Sequence, residues 1–241
     1  MEKWNGRVAL VSGASSGIGY AICENLVKNG MKVVGAARRI DKLQCDVTND
    51  DDVCALFDKI KETFGGVDVC VNNAGIVGTG LDLLNGTTEE WRQITNVNVI
   101  SLCLLSKLTV KSLRERELDN GHIINISSIL AHQIFPVPQL HFYTGTKFAV
   151  RALSEGLRQE LQAINSNIKV TTVSPGIVKT EILRNIPKSN PYNEKILEIN
   201  TCLKPEDIAV TVSQILSAPP YMEVHDTVVL ATGKVNLNID Q

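Results

Sequence analysis

The stretch "RVALVSGASSGIGYAICENLVKNGMKVVGAAR", residues 7–38, decides how the rest of the chain reads. "RVALVSG" (7–13) is a short apolar run with β-branched residues, ended by glycine, the signature of a buried strand. In "IGYAICENLVKNG", Ile18, Ile22 and Leu26 fall on one helical face, and Gly30 stands where the helix should be capped. "KVVGAAR" (32–38) is a second strand. One strand, a glycine loop, a helix and another strand make the first unit of an alternating pattern.

The alternation continues. Helix fits 50–64, where Val53, Leu56, Phe57, Ile60 and Phe64 share a face and Asp50, Asp51 and Asp52 occupy the first turn. Further strands are expected at 67–73, 122–128, 169–176 and 226–232, with helical patterns at about 88–117, 142–163 and 205–217. Pro205 suits a first helical turn. Apolar strands alternating with helices predict an α/β fold: a doubly wound parallel sheet in three layers, and one domain over residues 1–241. One link breaks the pattern. Between Arg38 and "QCDV" (44–47), which reads as a third strand, lie only the residues RIDKL. A parallel crossover takes a dozen residues or more, and five extended residues reach only ~17 Å. Either the third strand is lost or distorted, or the chain lacks a helix that its relatives keep.

Composition excludes several classes. With 241 residues, 44% of them hydrophobic, 21% charged and a net charge of −2, nothing favours nucleic acid or an anionic membrane. No run approaches ~18 uninterrupted apolar residues; the longest, from Val97, contains Asn98 and Lys107. No apolar leader precedes the glycine loop, so a cytoplasmic location is expected. The six cysteines (23, 45, 54, 70, 103, 202) form no CxxC pair and are expected as reduced, buried thiols. The four histidines show no metal-ligand spacing, so no metal site is expected.

"SGASSGIG" (12–19) follows a strand and opens a helix. In that context Gly13 permits a tight turn, Gly17 a close backbone approach and Gly19 close packing of helix on sheet. The helix N-terminus then offers free N–H groups to a pyrophosphate. Gly13, Ser15, Ser16, Gly17, Ile18 and Gly19 are the candidate dinucleotide loop, although three glycines also suit an ordinary strand-to-helix turn. Arg38 and Arg39 stand where an acidic residue would hold a ribose 2′-hydroxyl, and guanidinium groups suit a 2′-phosphate instead, which points to NADP(H). Asp46 and Val47 are candidates for the adenine. "NNAG" (72–75) closes the strand from Val67. There Asn73, Ala74 and Gly75 can pass close to a flat ligand while asparagine side chains hold neighbouring strands.

"HFYTGTKFAV" (141–150) sets Tyr143 and Lys147 one helical turn apart, on one face. A phenol is a poor proton donor or acceptor at neutral pH, and an ammonium beside it should lower its pKa. "NISS" ends the preceding strand with Ser128 at the carboxyl edge of the sheet, placed to bond a substrate carbonyl. Asn98 is expected to kink its helix and hold a water.

With the glycine loop, NNAG, Asn98, Ser128 and Tyr-x-x-x-Lys in this order, the chain resembles the single-domain short-chain dehydrogenase/reductase family over nearly all its length. That resemblance implies a Rossmann-type fold and a tetrad of Asn98, Ser128, Tyr143 and Lys147. Tyr143 would be the proton donor in reduction and the acceptor in oxidation, and Tyr143 and Lys147 would also contact the cofactor, Lys147 through the nicotinamide ribose. Pro175, Gly176, Val178 and Thr180 of "SPGIVKT" would face the nicotinamide. Within the family, "MEKWNGRVALVSGASSGIG", "GHIINISS", "HFYTGTKFAV" and "CLKPEDIA" look like the insect farnesol-dehydrogenase-like group and its vertebrate keto-steroid-reducing relatives. This implies a small lipophilic alcohol or carbonyl substrate, with walls from 130–142 and a lid at 181–203, and Leu130, Ile134, Phe135 and Leu183 as apolar surface. Relatives associate as dimers or tetramers through the helices that here span 98–117 and 143–163. Three features depart from the family pattern: Ser12 in place of threonine, a Ser128–Tyr143 spacing of fifteen that leaves Ser127 as an alternative, and the short RIDKL link. The competing class is an NADP(H)-binding variant or splice form with a regulatory role.

Overall fold

The computed structural model describes residues 1–38, 45–79, 81–182 and 195–233. Six parallel strands, β1 (Val8–Ser12), β2 (Lys32–Ala36), β3 (Val69–Asn72), β4 (His122–Ile126), β5 (Lys169–Pro175) and β6 (Asp226–Val229), lie in the order β2-β1-β3-β4-β5-β6. The direction of winding reverses between β1 and β3. Their carboxyl ends therefore open the crevice in which such sheets bind ligands.

Side-chain alternation on β1 divides the core. Ala9 and Val11 face one layer, where α1 (Gly17–Lys28) and α7 (Pro205–Ser217), which follows the short α6 (Lys195–Ile199), supply Ile22, Leu26, Ile208, Val212 and Leu216. Val8 and Leu10 face the other, packed by Val53, Leu56 and Ile60 of α2 (Asp50–Phe64) and Leu105 of α4 (Ser101–Arg114). The long α5 (His141–Ala163) continues this second layer, with Leu161 packed against Val170 of β5. Period 2 on a strand flanked by period 3.6 on helices thus gives the three layers.

The helix ends follow their capping residues. Gly30 adopts φ +84° just past α1, and Met31 N–H donates to Leu26 O at 3.1 Å. Asn49 caps α2 by accepting from Asp51 N–H at 3.0 Å, and Gly65 closes it with φ +86°. The pattern expected at 88–117 is interrupted: α3 (Thr88–Thr95) passes through a π-helical segment, Asn96–Ile100, into α4. Under the amino ends of the strands, Asp68 is almost fully buried and accepts from Val8 N–H at 2.7 Å. The same carboxylate meets Arg7 and Arg116, each at 2.9 Å.

Of the third strand expected at 44–47, Gln44 lies outside the described residues. Residues 45–47 are irregular, and Cys45 N–H donates to Ala37 O at 3.3 Å, so the chain has already turned back beside the end of β2. β2 becomes the sheet edge, and α2 itself is the crossover to β3. Among the described residues no strand lies between β2 and α2. The cysteines are all free, but only Cys45 and Cys70 are buried; Cys54 and Cys103 are exposed, and Cys23 and Cys202 lie between. The expectation of buried thiols holds for two of the six.

Candidate active site

At the carboxyl edge, the glycine loop is laced to the end of β3. Ser12 Oγ accepts from Asn73 N–H at 3.0 Å and Ala74 N–H at 3.1 Å. Asn73 Nδ2 returns the bond to Ser12 O at 2.9 Å and Gly13 O at 3.2 Å. Gly13 has φ +66°, and a Cβ there would lie 2.9 Å from Ala74 Cα. A Cβ on Gly19 would enter the Gly13 carbonyl and come within 2.5 Å of Asn73 Nδ2. Gly17 has φ +57° and sits against Thr180, whose Cγ2 is 3.2 Å from the point where its Cβ would be. Ser16 stands at the N-cap of α1 without a side-chain capping bond. The first-turn N–H groups, with the positive end of the helix dipole, thus face the crevice with Ser15 and Ile18 partly buried beside them.

β5 ends at Pro175, and Gly176 N–H donates to Val229 O at 2.8 Å. Val178 is buried and bridges in parallel to Leu203. These bonds carry the segment 175–180 from β5 across to Gly17. On the other side of the crevice, Arg38 is exposed on the turn just beyond β2, and Arg39 lies outside the described residues. Asp46 is committed to an Asx turn, accepting from Thr48 N–H at 3.0 Å and Thr48 Oγ1 at 2.8 Å. These bonds hold its carboxyl below the usual range, with a smaller contribution from Arg38. Val47 packs partly buried against the β1–β2–α2 core.

Asparagines also staple the strand ends. Asn72 Nδ2 donates to Asn125 Oδ1 at 2.7 Å and Ser106 Oγ at 3.0 Å; Asn125 Nδ2 donates to Ser154 Oγ at 2.8 Å. The π-helical segment turns Asn98 inward, where it is buried. Its Oδ1 accepts from Ile76 N–H at 2.9 Å, and its Nδ2 donates to Ile76 O at 2.9 Å and Thr146 Oγ1 at 3.1 Å. Thr146 Oγ1 in turn donates to Tyr143 O at 2.7 Å. Asn98 therefore clamps the backbone just past Gly75 and the helix that carries Tyr143 and Lys147. A point at the Cβ position of Gly75 is 3.6 Å from Asn98 Oδ1 and 3.7 Å from Lys147 Nζ.

Lys147 is buried; its Nζ donates to Ile126 O at 3.0 Å and lies 5.5 Å from the centroid of the Tyr143 ring. Burial lowers its pKa to about 8. Tyr143 behaves differently from the expectation drawn from the spacing. Burial raises its pKa above the ordinary phenol value, and the hydrogen bond with Ser128 is the opposing influence. Desolvation of the phenolate outweighs the neighbouring lysine, whose own positive charge is weakened by the same burial. Ser128 Oγ also accepts from Leu130 N–H at 3.1 Å, opening a short 3-10 turn, Ile129–Ala131. Ser127 is buried and donates to Lys147 O at 3.3 Å, so Ser128 is the serine that meets the tyrosine.

Apolar side chains surround the phenol: Val77 and Leu130, with Phe135, Leu140 and Ile182 partly buried against them. Of the four wall residues expected, Leu130 and Phe135 belong to this cluster. Ile134 points outward at 68% exposure, and Leu183, like most of 181–203, lies outside the described residues. Two contributors were not read from the sequence. Thr146 looked like filler within the Tyr-x-x-x-Lys turn. The Trp91–Phe142 ring stack, with centroids 5.5 Å apart, joins α3 to the residue before Tyr143 across a separation that no local pattern signals.

A glycine cradle at the winding reversal, uncapped helix N–H groups and a serine–tyrosine–lysine constellation define a dinucleotide-dependent oxidoreductase acting on alcohols and carbonyls. Residues 7–191 match the short chain dehydrogenase family, and the chain belongs to it. It is 40% identical over 255 residues to dehydrogenase/reductase SDR family member 11 of Bos taurus, covering 98% of this chain and 100% of that protein. It is 39% identical over 254 residues to farnesol dehydrogenase of Aedes aegypti, covering 97% and 99%. Among solved structures, the closed form of serine dehydrogenase complexed with NADP+ superposes with a TM-score of 0.85 at 25% identity, covering 97% of this chain and 99% of that one. The Brucella melitensis 3-ketoacyl-(acyl-carrier-protein) reductase complexed with NADH gives 0.80 at 27% identity, covering 94% and 98%. The alignment with the bovine protein is longer than this chain, so that relative carries residues with no counterpart here.

Proposed function

We propose that the protein, acting as one catalytic unit, is an NADP(H)-dependent oxidoreductase interconverting a lipophilic alcohol, such as an isoprenoid alcohol or hydroxysteroid, and its carbonyl. The observation that carries this reading is Tyr143, buried in an apolar cluster, with the Ser128 hydroxyl as the side chain that favours its ionised form and Lys147 one helical turn away. The residues fit a dinucleotide: Gly13, Gly19 and Asn73 leave no room for further side chains but keep backbone at the crevice, and α1 presents uncapped N–H groups. Gly13, Ser15, Ser16, Gly17, Ile18 and Gly19 would hold the pyrophosphate, and Arg38 and Arg39 a 2′-phosphate. Asp46 and Val47 would lie near the adenine, Asn73, Ala74 and Gly75 along the nucleoside, and Pro175, Gly176, Val178 and Thr180 at the nicotinamide. When bound, the nicotinamide carries the hydride.

The chain's own part is proton handling and orientation. Ser128 donates to the substrate oxygen. Tyr143, kept protonated at neutral pH by its burial, gives a proton to that oxygen in reduction and takes it back in oxidation. Lys147 bonds the ribose and supplies positive charge beside the phenol. Asn98 holds Ile76 and α5 in register and, in the proposed relay, a water leading from Lys147 to bulk. Val77, Leu130 and Phe135 exclude water and favour an apolar substrate.

NADPH oxidation by the purified protein, screened over farnesal, keto-steroids and small diketones, tests this. Tyr143→Phe should lower turnover by at least about a hundredfold while leaving NADPH affinity intact; equal turnover by the two proteins would sink the proposal. A second reading, a nucleotide-binding variant without turnover, is favoured by the short link after Arg38, on the side proposed for the adenine. Association into dimers or tetramers through α4 and α5 is supported by exposed Phe148 and Leu153 on α5 and exposed Ile100, the residue that leads into α4. The run 88–114 is long and apolar enough to cross a membrane, but its Leu105 and Leu113 pack into the core, as befits a helix of the folded domain.

A further inference from the structure

His132 has no part in the chemistry above, yet it touches three pieces of the proposed site. It closes the 3-10 turn that Ser128 opens: Ala131 N–H donates to Ser128 O at 2.9 Å, and His132 N–H to Ile129 O at 3.0 Å. Its imidazole then leaves the turn. Nε2 lies 3.0 Å from Ser174 Oγ and 3.6 Å from Asp226 Oδ1. Ser174 is fully buried on β5 and immediately precedes Pro175. Asp226, the first residue of β6, accepts from Arg151 Nε at 2.8 Å, and Arg151 stands on α5 one turn beyond Lys147.

We infer that His132 is a positioning residue that holds the Ser128 hydroxyl in line with Tyr143 by tying its turn to β5 and, through Asp226 and Arg151, to α5. The need is physical. A single 3-10 turn has few and poorly directed hydrogen bonds, so it does not fix its own orientation. The buried Ser174 hydroxyl must find a partner, and the ring supplies it. With the Asp226 carboxylate beside Nε2, that nitrogen keeps its hydrogen and donates to Ser174 Oγ, as the surrounding network assigns it. Loosening this tie acts first on the turn that Ser128 opens, while the glycine loop is held by its own bonds to Asn73.

The inference rests on the catalytic reading of Ser128, and the test separates the two. NADPH oxidation is measured with farnesal and with phenanthrenequinone for His132→Ala, Ser128→Ala and the double variant, beside NADPH titrations and melting curves. His132→Ala should lower kcat about tenfold with NADPH affinity unchanged. In the Ser128→Ala background the same substitution should cost less than twofold, because its effect passes through that hydroxyl. Ser174→Ala, which breaks the tie from the other side and leaves the imidazole in place, should reproduce the non-additive loss even if His132→Ala does not fold. His132→Gln, with an amide nitrogen near the Nε2 position, should recover most of kcat. Full kcat in both His132→Ala and Ser174→Ala overturns the inference, as does a loss that multiplies independently of Ser128 or that tracks NADPH affinity. A wild-type chain without turnover, or Ser128→Ala at full rate, overturns the catalytic reading and this inference with it.

Discussion

Tyr143 holds its proton at neutral pH because the phenolate would lose its hydration among Val77, Leu130 and Phe135, and the single hydrogen bond with Ser128 does not offset that loss. Lys147 is the group poised nearer neutrality, at about 8 against an ordinary 10.5. A lysine whose folded pKa is depressed costs the folded state most below that pKa, and the cost fades as pH rises toward the unfolded value. Lys147→Met should therefore melt higher than the parent at pH 7, by a stabilisation of at most about 3 kcal/mol. The advantage should shrink between pH 8 and pH 10, and turnover should be lost throughout. Melting curves across that range check it, and a variant that melts lower at pH 7 contradicts it. That Tyr143, Lys147 and Ser128 come together was legible from residue type and spacing. The direction of the tyrosine shift was not, because spacing reports a neighbouring charge but says nothing of how much water both groups have lost.

The elements were legible where their patterns are local. α2 and α7 begin and end where periodicity and caps put them, at 50–64 and 205–217. The π-helical segment at Asn98 was expected only as a kink, since the extra residue in the turn is set by the bonds to Ile76 and Thr146 from other elements. The packing of α1 on the loop depends on Gly19. Gly19→Ala would drive a methyl into the Gly13 carbonyl and Asn73 Nδ2, displacing the helix N-terminus. NADPH affinity should fall by more than tenfold, with a lower melting temperature. Parental affinity in a fluorescence titration would refute the cradle. At the opposite edge, Asp68 holds β1 through Val8 N–H and balances Arg7 and Arg116. Asp68→Ala leaves two guanidinium groups facing each other without their carboxylate and should cost about 3 kcal/mol in urea unfolding. A change below about 0.5 kcal/mol would make this cluster a surface feature instead.

Over the whole molecule, alternation of strand and helix gave away the doubly wound sheet, and the length of one link marked the place where the alternation breaks. Five residues between Arg38 and Gln44 admit no crossover helix, whatever the residues are. What remained beyond reach were contacts between distant segments: Trp91 on Phe142, Asn98 on Ile76, Asn73 on the glycine loop. Each joins residues that no shared periodicity connects. The same link bears on the proposed function, because it lies at the edge proposed for the adenine, while the glycine loop stays laced to Asn73 and packed against Thr180. The account therefore stands or falls on nucleotide binding. Fluorescence titration of the purified protein with NADPH and, separately, NADH is the most direct test. The account predicts binding of both, with NADPH tighter by at least about tenfold, which corresponds to about 1.4 kcal/mol for the 2′-phosphate. Binding of neither nucleotide, by a chain shown to be folded, would contradict it.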